Sequence, residues 1–326
     1  MRLGLSQGLS TGGFVPSAAS TPMLLDRDDM PTATVAFSLR KLREDYTGKA
    51  IKVRRASDDV EVDVAFDEAP STDTGTPQVT GSSVITVTSG SYSGTMTLSA
   101  FTSGTTAHVT TWYDQVGTAT NATQSTAGSQ PPLLSDFSAL DFSATEKLSS
   151  TYVPAEGGDG TNVGDSSTWL TVSKYIDTDN DRHELVAAYY YYPAYGRALY
   201  VEGDTYRFDV GGGASGTDID TLNSTVSAST SDIEVNIASY MPAESSNEMQ
   251  MKVNGTDRSP ASSSHNVNSF GNGYFYIGYA NSPYVTTDEW DGQVYEVVCW
   301  ENTAAFAASS STAGTVWDDV ETFYGL

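Results

Sequence analysis

Beyond about residue 70 the chain is a succession of short apolar or alternating runs, each soon broken by Gly, Ser, Thr, Asn or Asp. A strand needs only about four to eight residues of such a pattern between turn signals, whereas a helix needs a longer run with apolar positions three and four apart. The runs predict strands at Val84–Thr88, His108–Tyr113, Thr168–Lys174, Glu184–Tyr191, Ala198–Val201, Thr205–Val210, Ile233–Ser239, Glu248–Val253, Tyr274–Tyr279 and Gln293–Trp300. Val60–Phe66 alternates apolar with acidic residues, the mark of a half-buried strand, and Ser57-Asp58-Asp59 before it reads as a turn. Helical spacing occurs twice: Leu39, Leu42 and Tyr46 within 35–46, stopped at Gly48, and Val316, Trp317, Val320 and Phe323 within Gly314–Tyr324. The strand count predicts an all-β sandwich, a jelly-roll rather than a smaller immunoglobulin-like fold, closed by a short C-terminal helix.

Residues 1–35 stand apart. They are rich in Gly, Ser, Thr and Pro, show no period, and carry Leu3, Leu5, Leu9 and Phe14 as scattered apolar groups. They read as an extended arm that orders against a partner, followed by one domain over 36–326. Charge divides the chain in a similar way. Residues 1–60 hold nine basic and seven acidic residues, and 61–326 hold seven and 34, which makes up the net charge of −25. So acidic a body repels a phosphate backbone and an anionic membrane, so neither is expected as a partner. The start has no continuous apolar core of the signal-peptide kind, and the longest apolar–aromatic run, Leu185–Pro193, is too short to span a bilayer as a helix. Cys299, the single cysteine, lies in an apolar stretch and reads as a small buried hydrophobe.

Four groups of residues carry chemistry. Arg54 and Arg55 lie near Asp58 and Asp59, and Asp114 follows Trp112 and Tyr113. Two roles suit them: ligand recognition, or a buried arginine–aspartate clasp (Arg54, Arg55, Asp58, Asp114, Trp112) locking the first strand to the Trp112 strand; the clasp is the expectation. Tyr190, Tyr192 and Tyr195 belong to a tyrosine cluster that suits either a contact surface for protein or glycan or edge-strand packing. Asp177, Asp179 and Asp181 open like a calcium loop, but Arg182 and Ala188 occupy positions where an EF-hand needs Gly and Glu. An irregular Ca²⁺ site and an acidic hairpin turn are the two readings there, with the turn expected and no cofactor. His108, His183 and His265 are isolated in sequence, and no nucleophile elbow or phosphate loop appears.

Two blocks go further. Ala36–Leu42 with Tyr46–Asp59, and Val109–Gln115 with Asn121–Gln124, together resemble the arabinofuranosidase B catalytic-domain family; Trp290–Trp300 and Val320–Gly325 resemble its last strand and closing helix. The resemblance implies a concanavalin A-like sandwich, and many phage virion structural proteins look similar. It implies two activities of different class. One is a non-enzymatic virion protein, in a fibre, knob or decoration. In that role the arm holds it to other virion proteins of capsid, neck or tail, it assembles as a homo-oligomer, and its lectin-like domain meets host-surface glycan. The other is a glycoside hydrolase of arabinofuranosidase type, and a third reading is a virion protein with no ligand. No carboxylate of this sequence matches a catalytic motif of the family, so no catalytic residue is assigned.

Overall fold

In the computed structural model the described residues are 22–69, 75–88, 93–118, 120–143, 145–152, 166–177, 179–189, 195–212, 219–242, 248–261, 274–279 and 289–326. They form two antiparallel sheets packed face to face and a separate hairpin, Val84–Val87 with Gly94–Thr97. The larger sheet has ten strands, in spatial order Ile219–Ser227, Thr205–Gly212, Tyr195–Glu202, Arg182–Tyr189, Tyr274–Ile277, Leu148–Ser150, Ala122–Thr123, Ala107–Trp112, Ile51–Arg55 and Glu61–Val64. The seven-stranded sheet runs Val35–Ser38, Gly292–Glu301, Ser167–Tyr175, Glu234–Tyr240, Met249–Val253 and Thr256–Ala261, with Leu140–Phe142 also paired to Gly292–Glu301. The chain is an all-β sandwich, as its strand pattern requires.

Burial explains why the two sheets read differently in sequence. At one edge of the ten-stranded sheet Ile51–Arg55 and Glu61–Val64 alternate, because one face meets the core and the other meets water, whereas residues 183–188 and 196–201 of the same sheet are buried on both faces. Ser167–Tyr175 and Gly292–Glu301 are buried almost throughout, because their sheet is covered on both faces. Trp169, Val297 and Cys299 face the inter-sheet core with Trp112, Phe208 and Phe275. Leu170, Val298 and Trp300 face a second core, closed by Leu24, Phe306 and the helix Ser311–Tyr324 through Ala313, Val316 and Val320. That helix begins at Ser310, whose hydroxyl accepts from the Ala313 amide at 3.2 Å, and ends at Gly325 in the left-handed region, φ 70°. Burial pushes the Cys299 thiol well above its ordinary pKa, which keeps it a neutral packing group.

One expected element is absent. Residues 35–46 do not form a helix: Val35–Ser38 is a strand paired with Glu296–Cys299, and 39–46 is irregular. Leu39 joins the inter-sheet core and Leu42 the outer one, so their spacing serves two separate cores rather than one helical face. Of the expected arm, residues 22–35 lie against the sandwich. Leu24 is buried, the Trp300 indole donates to the Pro31 carbonyl at 3.1 Å, and the Thr34 amide donates to the Cys299 carbonyl at 2.7 Å. Leu3, Leu5, Leu9 and Phe14 lie outside the described residues. No helix among the described residues is long and apolar enough to cross a membrane.

Candidate functional site

The outer face of the ten-stranded sheet is where side chains are free to meet a ligand. Strand register places Asp63, Lys52, Thr111, Thr123, Ser149, Tyr276, Ala187, Ala198, Asp209 and Thr221 in one row across all ten strands. Their chain neighbours, among them Val62, Ile51, Trp112, Ala122, Leu148 and Phe275, fill the core, so the row itself points outward. At a strand spacing of ~4.8 Å it runs for about 43 Å.

The row has an open half and a sealed half. In the open half a polar groove of about 410 Å³ is lined by Lys52, Glu61, Thr111, Thr123, Gln124 and Ser149, which offer hydroxyl, amide, ammonium and carboxylate groups together. Beside it, on Tyr274–Ile277, Tyr274 and Tyr276 stand on the same face with ring centres 6.1 Å apart. Tyr279 follows 6.2 Å from Tyr276, with the Lys147 ammonium 3.8 Å from its ring centre. Tyr274 is half exposed. Flat amphipathic rings beside a bed of hydroxyls and amides match a sugar, which has apolar C–H faces and a polar rim.

In the sealed half, Arg182 bridges two carboxylates. Its Nε and Nη2 donate to Glu184 Oε1 at 2.9 and 2.7 Å, and Nη1 donates to Asp209 Oδ2 at 3.0 Å. The Tyr200 and Thr221 hydroxyls donate to Asp209 Oδ1 at 3.0 and 2.6 Å, and the guanidinium lies 3.7 Å from the Tyr200 ring centre. Burial is the main cause that raises the Tyr200 pKa, followed by the charge of Asp209. Glu184, Tyr200 and Asp209 are 1%, 2% and 5% exposed. Glycoside hydrolysis needs one carboxyl that gives a proton and another facing the sugar. Here both carboxylates accept from one guanidinium in a closed setting.

The residues expected as a clasp do not pair as one. Register sets Arg55 opposite Ala107 and Ile51 opposite Trp112, so the arginines sit at the far end of the strand from Asp114. Arg54 bonds Gln130 and Asp59, each at 2.7 Å, while Arg55 lies 3.5 Å from Asp58 and over the Phe101 ring. Asp114 instead accepts from the backbone amides of Ala36, Val116 and Thr118 at 3.0–3.1 Å. Gln115 accepts from the Leu42 amide at 2.8 Å and donates to the Ser38 and Arg40 carbonyls at 3.0 and 2.9 Å. Trp112 packs on Phe37 with ring centres 6.0 Å apart. Asp114 and Gln115 thus secure the segment 36–42 through its backbone groups and Trp112 by packing on Phe37, rather than through an arginine. Arg40, within the block Ala36–Leu42, is a cation that does tie distant elements together, through Glu296 and Asp319.

Tyr190 and Tyr192 lie outside the described residues; Tyr195 begins the strand Tyr195–Glu202. Tyr274, which is exposed, and the partly buried Tyr276 were legible as an i, i+2 pair within a predicted strand. Asp177 and Asp179 converge, but their third neighbour is His183 rather than Asp181: the ligand atoms of the three lie within 4.8 Å of one another. Burial pulls the His183 pKa down, but its hydrogen bonds to Asp179 and to the Glu289 carbonyl, with the charges of both aspartates, outweigh this and leave it raised.

Neither a protein-family model nor a curated protein matches the sequence. Among solved structures, the chain is similar to a GH54 a-l-arabinofuranosidase soaked with a cyclic sulfate inhibitor, with TM-score 0.56, 13% identity and 89% of this chain covered. An arabinofuranosidase complexed with arabinofuranosyl-alpha-1,2-xylobiose gives TM-score 0.55 at 14% identity, again over 89% of this chain. The chain spans 62% of the length of each. The fold shared with these two structures is a β-sandwich.

Proposed function

We propose that this chain is a non-catalytic, glycan-binding sandwich displayed on a phage particle. The observation that carries the glycan reading is the open polar groove beside the tyrosine ladder on the outer face of the ten-stranded sheet. The sealing of Glu184 and Asp209 behind Arg182 supports binding without turnover. Binding to immobilised plant, bacterial and furanoside glycans is expected for the wild type. It should weaken about tenfold in Thr123→Trp, a loss of about 1.4 kcal/mol, since the new indole fills the groove from an exposed position and leaves the core untouched. Equal binding by both proteins would move the sugar elsewhere. An aryl arabinofuranoside should release no aryl group; turnover that disappears in Glu184→Gln would replace this reading with the hydrolase one.

The virion part rests on the motif resemblance, on the unequal charge of the two ends, and on the composition of residues 1–35 with Leu3, Leu5, Leu9 and Phe14. Deleting residues 1–20 should abolish incorporation into particles while the purified sandwich still folds. Undiminished incorporation would remove the anchoring role.

A further inference from the structure

At the end of the sandwich where Ser167–Tyr175 ends and Arg182–Tyr189 begins, the His183 ring is buried, 6% exposed, and tilted against Tyr175 with centres 5.4 Å apart. Its Nδ1 lies 3.0 Å from the Glu289 carbonyl oxygen. A carbonyl only accepts, so Nδ1 carries the proton and donates, and Nε2 is the atom turned outward. Nε2 faces Asp179 Oδ1 at 2.8 Å and Asp177 Oδ2 at 3.7 Å. A ring nitrogen and two carboxylates converging on one point call for a cation between them. Orientation of a ligating imidazole by a carbonyl on its other nitrogen is the usual second layer of a metal site.

A second observation points the same way. Tyr175 is fully buried, and its hydroxyl has no hydrogen-bond partner among the described residues. Its ring lies against the His183 ring, with centres 5.4 Å apart, and Asp177 follows it by two residues, so it borders the same corner. Water on a metal ion held there would supply the missing partner.

We propose that Asp177, Asp179 and His183 bind one divalent first-row transition ion of the zinc class. The donor set, one imidazole nitrogen and two carboxylate oxygens, suits zinc, whereas calcium takes oxygen ligands. Tetrahedral bonds of about 2.0–2.1 Å place ligand atoms about 3.3 Å apart. The observed 2.8 and 3.7 Å straddle that value, so each aspartate adjusts by about half an ångström to reach it. Asp179 is about half exposed and can make that adjustment. Bound metal would tie Asp177 and Asp179 to the buried end of the strand that carries Glu184.

The test is calorimetric titration of the full chain, without a histidine tag, with ZnCl₂ and separately with CaCl₂. One zinc per chain is expected, with affinity at least ~10-fold lower in Asp179→Asn, a change at a half-exposed position that leaves folding intact. Zinc should raise the melting temperature of the wild type and not that of Asp179→Asn, and His183→Gln should behave like Asp179→Asn wherever it folds. Absence of saturable zinc binding would leave a plain imidazolium–carboxylate pair and overturn the proposal. So would equal affinity in Asp179→Asn, or displacement of zinc by calcium at similar concentration.

Discussion

Arg40→Ala is expected to destabilise the protein by about 3–5 kcal/mol and to release the C-terminal helix. Arg40 is 4% exposed, and its guanidinium makes a two-toothed contact with Glu296, Nε to Oε2 at 2.7 Å and Nη2 to Oε1 at 3.1 Å. Its third nitrogen reaches Asp319 on the helix at 2.7 Å, and its flat face lies 4.7 Å from the Phe323 ring centre. Burial alone would lower the Arg40 pKa, but the charge of Glu296, its hydrogen bonds and Asp319 outweigh this and raise it further. Glu296 is fully buried in the middle of the strand Gly292–Glu301 and accepts from the Ser38 hydroxyl as well. Alanine removes the cation and leaves this carboxylate in a dry place, where an uncompensated charge is most costly. Lysine keeps the charge but not the fork, so Arg40→Lys should fall between alanine and wild type. Urea denaturation gives the loss, and amide hydrogen exchange over 311–324 reports the helix. Retention of full protection there in Arg40→Ala would show that Val316 and Val320 hold the helix without the ion pair.

Arg197→Met should cost a similar ~3–5 kcal/mol at neutral pH. Arg197 and Glu301 meet across the inter-sheet core, one from each sheet, with Nη1 to Oε2 at 3.4 Å and side-chain exposures of 0% and 1%. The Trp169 indole donates to Glu301 at 3.3 Å, and the Tyr240 ring lies over the guanidinium. Burial raises the Glu301 pKa, while Arg197 opposes the rise. A carboxyl whose folded pKa lies above its unfolded value adds stability below the unfolded pKa and loses it as pH climbs through the folded one. Removing Arg197 widens that gap, so the deficit of Arg197→Met should be smaller near pH 4 than at pH 7. The double variant Arg197→Met with Glu301→Leu should recover most of the loss, because a packed apolar pair replaces a desolvated ionic one. A deficit that does not change with pH would mean that lost packing, not the stranded charge, accounts for it.

Parts of this architecture were legible because they are local. Alternation in Glu61–Val64, the apolar stretch ending at Trp300 and the capped face of Ser311–Tyr324 are each written within about a dozen neighbouring residues, where burial imposes a period of two or 3.6. Val35–Ser38 shows the limit: its neighbours Leu39, Leu42 and Tyr46 have helical spacing, but pairing with Glu296–Cys299 satisfies the backbone of 35–38 and buries Val35 and Phe37 between the sheets. A partner strand some 260 residues away cannot be seen from a local period.

Sequence by itself determined the class of fold, the acidic body, the closing helix and the burial of Cys299, since each follows from composition or from contacts between near neighbours. Tertiary structure alone decided which charges meet. The carboxylate opposite Arg40 lies 256 positions further on, Arg54 and Arg55 pair with the more exposed Asp59 and Asp58 close by in the chain, and Asp114 serves backbone amides. It also decided that Thr111, Thr123, Ser149 and Tyr276 share one row, and that His183 turns its outer nitrogen to Asp177 and Asp179. The reason is geometric. A strand states in its own residues which side chains point inward, but the register between strands that are distant in the chain is set only when the whole sheet closes on its core.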